Sequence, residues 1–169
     1  MAATVKDPKW AQRDLLSHNP LFSGLAPTQL DELAGASRLR QLGAHECLFR
    51  AGQPIRDMHL LVSGTLKRST VLAGQRKKII ELVQTQQILS LGELFGASRY
   101  ACSAETITPC IVVALDLLKL RAVIRQDLDL SWRIIGALAQ RQCAVEFDVT
   151  GYHYGLTGTQ RVLDYLIEL

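Results

Sequence analysis

From Ser37 to about Leu117 the chain alternates short apolar runs, "CLF", "MHLLV", "KIIELV" and "IVVAL", with turns that carry Gly43, Gly52, Gly64 and Gly74. Runs of this length at near-regular spacing predict an antiparallel β-sandwich or roll. Inside it, "GTLKRSTVLAGQRKKIIELV" reads as a hairpin with Ala73 and Gly74 at the tip. The basic cluster Arg76, Lys77, Lys78 follows, either a solvated strand end or a docking patch. Ahead of the roll, "NPLFSGLAPTQLDELAGAS" predicts a turn and a short helix. Pro27 stands at its first position, Leu30 and Leu33 share a face, and Gly35 ends it.

Beyond the roll the periodicity changes. A long helix is expected from about Leu130 to His153, where Ile135, Leu138, Gln142, Val145, Val149 and Tyr152 recur at spacings of three and four residues. That is the spacing of a coiled-coil seam, and it points to a parallel homodimer; the alternative is a stripe packed on its own domain. Gly151, Gly155 and Gly158 are expected to break the helix. "TGTQRVLDYLIEL" then begins another, with Val162, Tyr165, Leu166 and Leu169 aligned, and reads like the first element of a further domain.

Composition narrows the class without naming a function. The chain has 169 residues, 48% hydrophobic and 21% charged, values of an ordinary folded protein. A net charge of +3 is too weak to argue for nucleic acid or anionic lipid as a direct partner. There is no run of eighteen apolar residues and no signal-peptide core, so no membrane partner and a cytoplasmic location are expected. Cys47, Cys102, Cys110 and Cys143 are scattered without metal-type spacing, as expected of reduced thiols. A metal-dependent jelly-roll enzyme would need converging histidines, and His18, His45, His59 and His153 have no such spacing. No catalytic residues are therefore assigned.

Taken in order, Gly43 with "CLF", Gly52-Gln53, the Met58 to Val62 run, Gly64, the hairpin, Gly92-Glu93, Ser103-Ala104, the long helix and "RVLDYLIEL" resemble the cyclic AMP receptor and fumarate-nitrate reduction regulator (CRP/FNR) superfamily. The resemblance spans about Leu21 to Leu169. It implies an α+β fold: a β-roll of the double-stranded β-helix type, short N-terminal helices and a long C-terminal dimerisation helix. The expected organisation is an N-terminal segment (1–20), a sensing roll (21–125), a dimer helix (126–154) and the first helix of a truncated winged helix-turn-helix (155–169). DNA would be bound only through that missing domain. A ligand-free, constitutive dimeriser is the other binding-module reading.

The resemblance also proposes a ligand loop: Gly92, Glu93, Arg99, Cys102, Ser103 and Ala104. In cyclic-nucleotide-binding relatives the glutamate takes a ribose hydroxyl, while serine, loop amides and an arginine hold the cyclic phosphate. Here Cys102 stands where that arginine belongs, and a thiol cannot replace a planar cation with five donors. Losing one charge-assisted bond costs about 1.5 to 3 kcal/mol. Arg99, three residues earlier, is the cation that could swing in. On the long helix, Val145-Glu146 replaces the hydroxyl pair that meets the base.

Cyclic AMP is disfavoured on both counts. An iron-sulfur cluster is excluded by the absence of cysteines before Cys47. "RYACSA" is similar to nitric-oxide-responsive regulators of denitrification, which lack the arginine and are associated with haem. For haem the candidate ligands are His18, His45, His59, His153, Cys47 and Cys102, each with a structural alternative. Cys102 itself is either a redox-sensitive thiol with a lowered pKa or a buried, inert one.

Overall fold

The computed structural model describes residues 9–71, 77–153, 159–160 and 163. Its contacts divide the chain into two units, Met1–Ser131 and Trp132–Leu169.

The first unit opens with α1 (Lys9–Ser17) and α2 (Pro27–Gly35). Pro27 starts α2 because its missing N–H would have had no partner there. The Gln29 side-chain oxygen reaches back to accept from the Ala26 amide at 2.9 Å. Leu30, Leu33 and Ala34 form its buried face. α1 is one of the short N-terminal helices that the resemblance implies, and its buried residues include Leu16 and Gln12.

Eight strands follow: β1 (Ser37–Leu42), β2 (Cys47–Phe49), β3 (Asp57–Ser63), β4 (Leu66–Val71), β5 (Lys77–Val83), β6 (Ile88–Leu89), β7 (Ser103–Thr106) and β8 (Cys110–Asp116). They form two four-stranded sheets, ordered β1-β8-β3-β6 and β2-β7-β4-β5, with every strand pair antiparallel. The expected roll is therefore present. β1, β6 and β7 are the strands that neither the apolar runs nor the hairpin signalled. β1, "SRLRQL", buries Ser37 and Leu39 on one side with Arg38 and Arg40 on the other, and its last residue, Leu42, is buried although it has the arginines' parity.

β3 and β8 are buried on both faces. Met58, Leu60, Leu61, Val112, Val113 and Leu115 are fully buried, and each such side chain contributes about 1.5 to 3 kcal/mol. One face looks into the roll; the helices α2 and α3 (Leu117–Gln126) pack against β8. That double burial explains why both strands read as continuous apolar runs rather than as alternation.

Gly64, between β3 and β4, has φ +90°, and a Cβ there would meet the Pro109 carbonyl and lie 2.6 Å from Cys110 Sγ. Only glycine fits such a turn. Asp116 caps α3 by accepting from the Lys119 amide at 2.9 Å. The hairpin tip, Ala73 and Gly74 with Arg76, lies outside the described residues.

α4 (Leu128–His153) begins where the Asp127 carboxylate accepts from the Leu130 amide at 2.7 Å. It carries the long-helix expectation and runs two residues past Gly151, so that glycine does not break it. In the second unit Ile135 and Val145 are each 51% exposed, Leu138 is half-buried, and the Gln142 amide donates to Glu146 at 2.8 Å. The side chains of Val149, Tyr152 and His153 lie outside the described residues, as do Gly155, Gly158 and nearly all of the helix expected from "RVLDYLIEL".

Candidate functional site

The loop between β6 and β7 begins with a 3-10 turn, Leu91–Glu93, entered through Ser90 in the left-handed region (φ 61°). The turn aims Glu93 inward, where it is 9% exposed. Its Oε1 accepts from the Ala101 amide at 3.2 Å. Cys102, 1% exposed, follows on the interior side.

The cation of this interior comes from β4. Arg68 is 7% exposed and all three guanidinium nitrogens face a partner. Nε donates to Cys102 Sγ at 3.0 Å, Nη1 to Glu81 Oε2 at 2.8 Å, and Nη2 lies 3.6 Å from Glu93 Oε1. Arg68 and Glu81 face each other across the β4–β5 ladder. Burial works to lower the Arg68 pKa, but hydrogen bonds and charge from Glu81 and Cys102 outweigh it, so the net shift is upward. Arg68 is a permanent cation.

Burial pushes the Cys102 thiol up, and the Arg68 charge reduces that shift without reversing it. The lowered pKa expected of a redox-sensitive thiol is therefore not what this environment gives. Desolvation decides because Cys102 is enclosed, and the carboxylates of Glu93 and Glu81 add to it.

The other loop residues are engaged elsewhere. Arg99 is exposed, and its Nη1 donates outward to the Gly52 carbonyl at 2.7 Å. Ser103 Oγ accepts from the Ala51 amide at 3.0 Å. Tyr100 and Gln53 join through the amide of Tyr100, and Gly52 donates back to the Tyr100 carbonyl at 2.8 Å. Arg99 and Ser103 thus fasten the 50–53 turn to the loop. Gly92 is exposed and Ala104 fully buried. Two polar atoms of the 3-10 turn, Glu93 Oε2 and Ser90 Oγ, are buried without a hydrogen-bond partner.

Among the described residues the haem candidates do not converge. His18 is exposed at the end of α1, its Nδ1 2.8 Å from the Asp14 carbonyl. His45 is exposed in the β1–β2 turn at φ 61°. Cys47 is exposed, with its thiol directed to the Phe49 carbonyl. His59 is buried in β3, 5.5 Å from the Phe49 ring, which stacks on Tyr100 at 3.8 Å. Burial, assisted by Arg40 and Arg38, lowers the His59 pKa to about 3, so it is neutral. Burial together with the charges of Asp57 and Glu93 raises that of Tyr100, whose hydroxyl donates to the Asp57 carbonyl at 2.8 Å. Among the described residues no three His, Cys, Asp or Glu side chains gather as metal ligands, and no helix is long and apolar enough to cross a membrane.

Sequence reasoning missed Arg68 and Glu81. A period-two reading puts Arg68 on the face of Leu66 and Glu81 on the face of Ile79 and Val83. Two opposite charges on inward positions of one hairpin were the available signal. A bulge between Arg68 and Ser69 shifts the register, so counting from the tip does not bring the pair together.

A two-sheet roll with short helices packed on it, enclosing a loop-borne glutamate, has the architecture of a ligand-binding domain. The family model for the cyclic nucleotide-binding domain matches residues 39–127, and the chain belongs to that family. No curated protein matches the sequence.

Among solved structures, the sensor domain of the transcriptional regulator DNR from Pseudomonas aeruginosa superposes with TM-score 0.72 at 23% identity, covering 79% of this chain and 89% of that one. DNR itself gives TM-score 0.67 at 23% identity, with 87% of this chain covering only 65% of DNR. The regulatory domain of Toxoplasma gondii PKA, crystallised with cAMP, gives 0.60 at 21% identity over 70% of this chain and 46% of that one. The fold is that of the cyclic nucleotide-binding domain, shared with the DNR sensor domain.

Proposed function

We propose that the chain is the effector-sensing and dimerising part of a bacterial CRP/FNR-type transcription regulator whose effector is not a cyclic nucleotide. An effector in the roll would alter the dimer helices, and DNA would be bound by a C-terminal domain outside this sequence, in the cytoplasm. The observation that carries the effector reading is Arg68. The guanidinium of the interior is held by Glu81, Glu93 and Cys102, and the loop's Ala101 amide, Ser103 and Arg99 are already bonded within the protein. The buried guanidinium of that set is thus committed to protein partners, which supports an effector other than a cyclic phosphate.

The half-exposed Ile135 and Val145 support dimerisation through α4. Sedimentation equilibrium tests it: a dimer at micromolar concentration is expected, converted to monomer by Ile135→Glu combined with Val145→Glu. A monomeric wild-type chain would refute the reading.

The likeness to the DNR sensor domain favours a second reading, haem-based gas sensing of the denitrification-regulator kind. The described histidines do not fit an enclosed haem: the buried one lies beside the Phe49–Tyr100 ring stack, and the exposed ones, His18 and His45, stand on separate elements. Haem titration followed by its Soret band tests this reading. Stoichiometric binding lost in His18→Ala or His45→Ala would support it, and no saturable binding would end it.

A further inference from the structure

We propose that Glu81 is the specificity residue that closes this roll to anionic effectors, by cancelling a guanidinium, Arg68, which the roll carries in its own interior. The inference rests on taking the roll interior as the effector site, and it adds the chemical class: the effector is uncharged or cationic.

Three observations lead there. First, an enclosed, permanent guanidinium beside the 92–104 loop is by its chemistry an anion receptor, with a planar fork suited to carboxylate or phosphate. Second, that fork is occupied from within. Glu81 takes Nη1 at 2.8 Å across the ladder, and Glu93 faces Nη2 at 3.6 Å. Among the described residues two carboxylates thus stand around one guanidinium, and an entering anion would meet negative charge in a poorly screened interior.

Third, the unmet polar capacity at the site includes a carboxylate oxygen, which can only accept. Glu93 Oε2 is buried without a donor, and Ser90 Oγ on the same turn is also unpartnered. The Glu93 oxygen calls for a hydrogen-bond donor and its charge disfavours an anion beside it, while the Ser90 hydroxyl can donate or accept. Glu93 is tied to the loop by the Ala101 amide, whereas Glu81 comes from β5, at the open edge of its sheet. The residue that sets the charge of the interior is therefore Glu81.

The test is a set of thermal melts with cyclic AMP and with inorganic phosphate, against chloride at equal ionic strength. The wild-type midpoint should not move with either anion. In Glu81→Gln, which keeps shape and removes one charge, millimolar anion should raise the midpoint by several degrees. Arg68→Met with Glu81→Leu removes both charges and should show no anion response, which assigns the gain to Arg68. Glu81→Ser replaces the glutamine variant if that one does not melt cooperatively.

A wild-type shift with either anion overturns the inference, as does a folded Glu81 variant with no gain, or a gain that survives loss of Arg68. Sedimentation of the same samples separates the two readings. A dimer without an anion gain ends this inference alone, and a monomeric wild type ends the sensor-dimer reading alone.

Discussion

The two sheets of the roll are built on opposite terms. In the first, β3 and β8 bury Met58, Leu60, Leu61, Val112, Val113 and Leu115 completely, and burial holds His59 neutral and pushes the Cys110 thiol up. In the second, β4 buries Arg68 and Ser69, while β5 leaves Ile79, Ile80 and Leu82 roughly half exposed. One sheet supplies stability through dry packing. The other spends part of its interior on charge, which stabilises little in net terms but decides what can enter.

That contrast is open to attack by mutation. The largest effect is expected in the charged sheet. Arg68→Ala strands Glu81 and Glu93 in a poorly hydrated interior and should cost about 3 to 5 kcal/mol by urea denaturation. Arg68→Met with Glu81→Leu should restore part of that loss. If Arg68→Ala costs under about 1 kcal/mol, the guanidinium is not buried among carboxylates. In the dry sheet, Leu60→Ala removes a fully buried side chain and should cost about 2 to 5 kcal/mol, with no partner mutation able to compensate it.

The next effect is one of pH. His59 has a folded pKa of about 3, below its ordinary 6.5. The unfolded chain binds the proton first, so stability is complete above pH 6.5 and falls by about 1.4 kcal/mol per unit as the pH drops toward 3. His59→Gln should flatten this part of the stability profile; an unchanged slope would show that other groups carry it. Smallest is the edge of the roll, where Asp116→Ala removes the cap of α3 and should cost about 1 kcal/mol in the same denaturation assay.

The sequence was most legible where burial is two-sided. "MHLLV" and "IVVAL" announce β3 and β8 because both faces need apolar residues, and Pro27 and Gly64 mark positions where geometry leaves little choice. It was least legible where a strand is short or pairs irregularly. β6 has two residues, and β1 carries two arginines outward, so neither produces an apolar run.

At the site, the family pattern pointed to the loop between β6 and β7, where Glu93 and Cys102 lie, with Ser103 beginning β7. It sought the cation along that loop, at Arg99, but the structure supplies it from another strand. A side chain that reaches Cys102 from thirty-four positions earlier in the chain leaves no local signature. The long helix shows the reverse case: its period was plain, and the exposure of Ile135 and Val145 gives the stripe a reason.

The closing of the first sheet has a consequence for how the protein is made. β1 pairs along its whole length with β8, Ser37 opposite Leu115 and Leu42 opposite Cys110. The earliest strand to leave the ribosome must therefore wait for the last before its ladder can form, and the chain between them has to be ordered meanwhile. Nascent chains arrested before Cys110 should be sensitive to protease across β1, and those released past Asp116 should become resistant. Birth order along the message, rather than any single contact, then sets when this roll becomes a sensor.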